Sequence, residues 1–192
     1  GVFMKNILKI IILNLFFLIS LSSFAKDSNT FTIETNRGNI TIEVYPEKAP
    51  ETVRNFKKYI AKEFYNGLIF HRVIKNFMIQ GGGFDKSMMQ KPTDDPIINE
   101  SNNKLKNKPY TLAMARTNDP NSATSQFFIN LIDNDFLNYS GKSSSKIGYC
   151  VFGAVIEGKE IVDKIGSYST HTKNGLSDVP IKTVVIKSIK QR

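Results

Sequence analysis

Apolar and polar residues change rhythm several times along the chain, and each rhythm predicts an element. Phe31–Thr35 and Ile40–Val44 alternate apolar and polar side chains, the period of a strand with one buried face. Asn36, Arg37, Gly38 and Asn39 lie between them as a turn signal, so the two segments predict a hairpin. Pro46 and Pro50 then interrupt extended structure. From Glu51 to Phe64 the period lengthens, with Val53, Phe56, Tyr59 and Ile60 on one helical face. Pro50 suits the first turn of that helix, and Glu51 suits its positive end. Short apolar runs return at Ile69–Ile74, Phe77–Gln80, Thr111–Ala115, Gln126–Asn130 and Gly148–Ile156. A second short helix is predicted over Lys159–Ile165, and Val184–Ile189 reads as a closing strand. Ser87–Pro109, with three prolines, and the serine-rich Asn138–Ile147 read as surface loops.

Many short strands, two helices and no alternation of strand with helix argue for a mainly β fold, a closed antiparallel sheet capped by helices. No internal repeat or interdomain linker is visible, so residues 26–192 read as a single domain. The first 25 residues differ in kind. Met4 opens a short basic region from Lys5 to Lys9, Ile10–Leu21 is almost wholly apolar, and Ser23 and Ala25 place small residues where a signal peptidase reads. The apolar run is short of the ~20 residues of a spanning helix. Residues 1–25 are therefore expected to be a cleaved signal peptide that sends the protein to the periplasm, with an uncleaved inner-membrane anchor as the alternative. Gly1, Val2 and Phe3 precede the methionine and read as a start-site artefact.

The 192 residues are 41% hydrophobic and 22% charged, enough apolar content for a real core. The formal net charge is +9, but the basic residues are scattered without a long stripe or interleaved aromatics. That argues against nucleic acid as a partner. The single cysteine, Cys150, excludes an intramolecular disulfide and reads as a small core or strand residue.

Two runs carry the candidate chemistry: FHRVIKNFMIQGGGF from Phe70 to Phe84, and TLAMARTNDPNSATSQFFIN from Thr111 to Asn130. They suggest an apolar groove with a few fixed hydrogen-bond donors, which suits a reaction that breaks no covalent bond. Arg72 is costly to bury inside an apolar strand unless it is paired. Either carboxylates or carbonyls satisfy it, or it lines a pocket and meets a ligand. His71 precedes it, so strict alternation would turn His71 inward as a hydrogen-bonded core residue if Arg72 faces a groove. His171 reads as part of a polar loop near Gly175. Two histidines so far apart make a metal site improbable. Gly81, Gly82 and Gly83 permit close backbone approach or positive φ, but no Gly-Lys-Ser/Thr follows, so they are not a phosphate loop. Ser125 has no nucleophile-elbow context.

These two runs, followed by DFLN and GYCVFG, resemble the cyclophilin family of peptidyl-prolyl cis-trans isomerases, most closely its bacterial branch. The resemblance spans Phe31 to Ile189. It implies an eight-stranded antiparallel β-barrel capped by two helices. It also implies an isomerase or rotamase that turns X-Pro bonds in folding or exported proteins, with no cofactor and no metal. Proline-containing polypeptides would be its partners, and a monomer its working state. Arg72 falls on the family's catalytic arginine. Phe77 and Met78 fall on the proline pocket, with Gln80 beside it. Ala115 falls on a backbone-binding position. Arg116 and Thr117 follow it where many relatives have asparagine and alanine. Gln126, Phe128 and Leu137 fall on a further glutamine and two pocket residues. Phe136 stands where a tryptophan is common and Tyr149 where a histidine is common, which puts tight cyclosporin binding in doubt.

A cyclophilin-like module that holds extended peptides without turning them over is the competing reading. An intact Arg72 favours the enzyme, because a pure binder has no need of that charge. For the leader, N-terminal sequencing of the exported protein is expected to begin at Lys26. A chain retaining Ile10–Leu21 in the membrane fraction would establish the anchor instead.

Overall fold

The computed structural model describes residues 28–144 and 146–192. The leader expected over residues 1–25, with its cleavage point, lies outside them. The strands are β1 (Thr30–Thr35), β2 (Gly38–Val44), β3 (Ile69–Ile74), β4 (Met78–Gly81), β5 (Thr111–Met114), β6 (Phe127–Asn130), β7 (Val151–Glu157), β8 (Thr170–Lys173), β9 (Leu176–Pro180) and β10 (Val184–Gln191). The helices are α1 (Pro50–Ala61) and α2 (Lys159–Gly166).

Eight strands close an antiparallel barrel in the order β1-β10-β3-β4-β6-β5-β7-β2, with β2 pairing back onto β1. Ile33, Ile40, Ile42, Phe70, Ile79, Leu112, Phe127, Ile129, Phe152 and Ile186 are all 0% exposed and fill its interior. Eight strands enclose a space that side chains can fill. A filled barrel leaves no internal ligand cavity, so any site must form on the outside.

Helix α1 packs through Val53, Phe56 and Tyr59. Phe56 meets Phe31, Tyr65, Phe127 and Phe152 at ring separations of 5.2–6.3 Å. Each such buried ring contributes about 1.5–3 kcal/mol through lost apolar surface. The helix lacks a side-chain cap of its own. Glu100 supplies one from a distance, accepting the Glu51 and Thr52 backbone N–H groups at 3.1 and 2.8 Å and the Thr52 hydroxyl at 2.7 Å. The opposite end of α1 comes at Ala61, earlier than the apolar period through Phe64 suggests. Glu63 takes a left-handed φ of +50° and donates to the Ile60 carbonyl at 2.8 Å, which turns the chain. Helix α2 lies over the β1–β2 turn: a Cβ on Gly38, whose φ is +131°, would sit 2.7 Å from Ile161 Cδ1.

Three expectations need correction. Ser87–Pro109 is not wholly a surface loop: Glu100 caps α1 from it, and Ser101 and Asn107 are buried. His171 lies not in a loop but on β8, which pairs with β9 as a separate two-stranded sheet. Strand β8 is polar and mostly exposed, and β9 buries two consecutive residues, Val179 and Pro180, so no alternation betrays either. The turn joining them is Asn174-Gly175, with φ of +49° and +80°, the conformation that pair favours in tight hairpins. Third, β3 bulges between Phe70 and Arg72, so strict alternation fails there. Phe70 and Val73 join the barrel core, whereas His71 stacks on Phe84 at 4.6 Å, beside the small cluster of Ile69, Met88 and Val179. Its Nδ1 is buried without a hydrogen-bond partner among the described residues.

Burial, and after it the neighbouring Arg72 charge, push the His71 pKa down to about 4. An unfolded histidine takes up its proton near pH 6.5, and the folded one does not until about pH 4. Stability from this group is therefore complete above about pH 6.5 and falls as pH drops toward 4, by roughly 3 kcal/mol in all. Urea unfolding at pH 7 and pH 5 is expected to show roughly 2 kcal/mol of that loss, since carboxylates titrate lower. In His71→Leu most of it should vanish. Equal losses in the two proteins would show that His71 does not govern this window.

Candidate active site

The barrel pairing sets a row of outward side chains in register. Arg72 on β3 pairs with Gln80 on β4, Gln80 with Phe128 on β6, and Phe128 with Ala113 on β5. Their strand neighbours Val73, Ile79, Phe127, Ile129 and Leu112 belong to the barrel core, so the row faces away from it. Strands lie about 4.8 Å apart, which makes the row roughly 14 Å long. That is the span of a short extended peptide.

Beside the row, a second apolar cluster forms on the outer wall. Met78, Ala113, Phe128, Leu137 and Val151 are buried there, with Ile74, Phe77, Leu105, Ala115 and Tyr149 packed at the edge. Together row and cluster shape a groove of about 180 Å³, lined by Arg72, Phe77, Met78, Gln80, Ala115, Arg116, Phe128, Leu137 and Tyr149. Gln126 and Phe136 are not part of this lining but each touches one of its residues. Gln126 accepts from Gln80 Nε2 at 2.9 Å. Phe136 is 75% exposed and stacks on Phe77 with centroids 5.6 Å apart, so it extends the rim.

The glycines explain the Gln80–Gln126 contact. A Cβ on Gly83 would lie 2.6 Å from Gln126 Cγ, so only glycine lets that side chain lie across the strand end. Gly82 takes φ of +84°, and a Cβ there would sit 3.1 Å from the Ser125 carbonyl. Ser125 itself is 0% exposed and donates its hydroxyl to the Gly82 carbonyl at 2.8 Å, which leaves it no role as a nucleophile. Cys150 is likewise buried, with Thr52 Oγ1 3.5 Å from its sulfur, and burial raises its pKa to about 11. A thiol so raised is inert at neutral pH.

Arg72 is partly exposed, and its guanidinium reaches Gln80 Oε1 at 3.5 Å through Nη1 and Asp178 Oδ2 at 3.4 Å through Nε. Both readings of Arg72 left open by the sequence thus hold together: a carboxylate partners it, and it lines a groove. Arg116 is committed differently. It donates to the carbonyls of Gly148 at 3.3 Å, Thr117 at 2.8 Å and Ile147 at 2.6 Å, and it lies over Tyr149 at 4.5 Å. Its charge ties one wall together, with Tyr149 in turn edge-on to Phe128 at 5.7 Å.

Sequence reasoning missed the polar lattice behind the groove. Asn134 Nδ2 donates to the Phe77 carbonyl at 3.0 Å and to Asn130 Oδ1 at 2.7 Å. Asn130 Nδ2 reaches Thr111 Oγ1 at 2.9 Å and Asn107 Oδ1 at 3.2 Å, and Asn107 Nδ2 reaches the Leu137 carbonyl at 3.2 Å. These buried amides fix the backbone of two lining residues. Asparagine also marks turns, so its type alone does not separate such a lattice from loop chemistry.

A family model described as "Cyclophilin type peptidyl-prolyl cis-trans isomerase/CLD" matches residues 30–191. The chain is 56% identical over 158 residues to peptidyl-prolyl cis-trans isomerase B of Escherichia coli, covering 82% of this chain and 96% of that one. It is 52% identical over 162 residues to a peptidyl-prolyl cis-trans isomerase of Streptomyces antibioticus, covering 84% and 98%. Among solved structures it is similar to a cyclophilin type isomerase of Cryptosporidium parvum determined in the presence of the dipeptide Ala-Pro. That match has a TM-score of 0.72 and 28% identity, and covers 85% of this chain and 98% of that one.

Proposed function

This chain belongs to the cyclophilin-type peptidyl-prolyl cis-trans isomerases, and on that premise we propose that Arg72 is its catalytic residue. In this reading Phe77, Met78, Phe128 and Leu137 take the proline ring of a polypeptide substrate. The observation that supports it most is the register of Arg72, Gln80, Phe128 and Ala113 on four adjacent strands beside the outer apolar cluster. A charge, a hydrogen-bonding amide and a ring-sized apolar recess then follow one another along a peptide's length. The Ala-Pro dipeptide named for the Cryptosporidium parvum relative is the smallest ligand of the kind such a groove would take.

The chemistry follows from the amide. Partial double-bond character sets a barrier of about 18–20 kcal/mol to rotation, and uncatalysed exchange takes on the order of tens to hundreds of seconds. When the bond is twisted, conjugation is lost and the prolyl nitrogen regains its lone pair. A guanidinium aimed at that nitrogen stabilises the twisted state more than either planar one, and only such a difference raises the rate. Arginine suits the task because it stays charged and its fork is rigid. Held in the apolar recess, the ring stays fixed. Gln80, Gln126 and backbone groups near Ala115 hold the preceding carbonyls, so one half turns against the other. No bond is made or broken, and the reaction calls for no cofactor.

The proposal includes an exported monomer that acts on proline-containing chains as they fold in the periplasm. Support for export is the leader pattern of Lys5–Ala25. No helix among the described residues is long and apolar enough to cross a membrane.

Arg72→Ala is expected to leave a folded protein, since the side chain is partly exposed, with isomerase activity on a proline peptide lower by about ten-fold or more. One decade corresponds to a lost transition-state contact of roughly 1.4 kcal/mol. Wild-type turnover in this variant, with an unchanged circular dichroism spectrum, would remove Arg72 from the mechanism.

Cyclosporin is expected to inhibit weakly, and Phe136→Trp to bind it several-fold better. An indole N–H on the exposed rim can donate to a ligand carbonyl, worth about 0.5–1.5 kcal/mol, where a phenyl ring cannot. Titrating both proteins while following the isomerase rate measures this. Tight inhibition of the parent, or no gain in the variant, would show that this rim position does not set the affinity.

A further inference from the structure

Asp178 is separated from Arg72 by 106 residues, yet its Oδ2 accepts from Arg72 Nε at 3.4 Å. It stands on β9, in the two-stranded sheet that packs against β3 outside the barrel. That hairpin is fixed on both sides of Asp178. Val179 is buried with Ile69 and Met88, and at the turn Lys173 Nζ donates to the Lys86 carbonyl and Asn174 Nδ2 to the Ser87 carbonyl, each at 3.2 Å. Asp178 itself takes φ of +62° where the register of the hairpin shifts, a conformation aspartate enters more readily than most residues with a Cβ.

The ion pair is an unpromising source of stability. Its side chains are 42% and 37% exposed, and pairs that open to solvent add little to a fold. Its geometry is more telling. Nε is the one guanidinium nitrogen on the side-chain stem, so fixing it fixes the plane of the fork. With Nε on Asp178 and Nη1 on Gln80, the remaining N–H groups have no partner among the described residues and are free to donate into the groove.

We propose that Asp178 is a positioning residue for isomerisation: the β8–β9 hairpin delivers its carboxylate to the stem of Arg72 and so aims the guanidinium at the turning bond. This rests on Arg72 being catalytic. It makes an element outside the barrel part of the active machinery.

Asp178→Gly is the decisive variant, because glycine accepts a positive φ and any loss then belongs to the carboxylate. On a proline peptide it is expected to lower kcat roughly three- to ten-fold, the size of one oriented hydrogen bond, with KM within about two-fold. Asp178→Asn tolerates the same backbone and keeps an acceptor, so it should recover most of the rate. In an Arg72→Ala background Asp178→Gly should cost nothing further, and in the Arg72-containing protein the Arg72 Nε–Hε resonance should move. Wild-type kcat in Asp178→Gly, or an equal loss with and without Arg72, overturns the proposal. Wild-type activity in Arg72→Ala alone would instead overturn the reading on which it rests.

Discussion

Val73, Ile79, Phe127 and Ile129 belong to a packed barrel core, so their strand neighbours Arg72, Gln80 and Phe128 have nowhere to go but the outer face. The site depends on that exclusion. A larger or emptier barrel could have held its ligand inside. Here the interior is spent on packing around Phe56, and the wall of β3, β4, β6 and β5 becomes the working surface. Register then does the rest. Antiparallel pairing aligns one side chain from each strand, so a row of different chemistries forms across the chain direction without any loop to position it.

A rigid wall alone would not make a groove. Phe77 and Leu137 lie outside the strands, and the irregular backbone that carries them needs partners. Asn107 donates to the Leu137 carbonyl and Asn134 to the Phe77 carbonyl, and Asn130 links the two amides. Such a lattice stiffens the backbone it holds, although Asn134 Oδ1 is left without a partner among the described residues. Arg116 plays the matching part on the far side, joining three carbonyls and covering Tyr149. The groove therefore has two charged arginines with different duties. One is bound into a wall, and the other keeps donors free.

Much was readable from the residues. Periodicity located the eight barrel strands and both helices to within a few positions, because each carries a face that must be buried. Phe31–Thr35 and Ile40–Val44 alternate cleanly, and Val53, Phe56 and Tyr59 mark the inner face of α1. The lining was legible by a different route. Phe70 to Phe84 and Thr111 to Asn130 are dense in the residue types of a known family, and that resemblance brought Arg72 and Met78 together with Leu137 and Tyr149, which no local pattern links. Strands β8 and β9 escaped, since β8 is mostly exposed and β9 buries two consecutive residues, so neither carries a period to read.

What the sequence determined by itself is the set of buried faces, and with them the barrel, because burial of apolar area is a sum over local patterns. What only the tertiary structure decided lies in contacts between distant residues. Glu100 caps a helix that begins 50 residues earlier in the chain, at Pro50. His71 sits outside the barrel because β3 bulges, in a second apolar pocket whose burial keeps its ring uncharged. Asp178 meets Arg72 because the β8–β9 hairpin, anchored through Val179, packs over β3. Each depends on the direction of a single polar group, and direction is fixed only when the packed elements around that group have fixed its backbone.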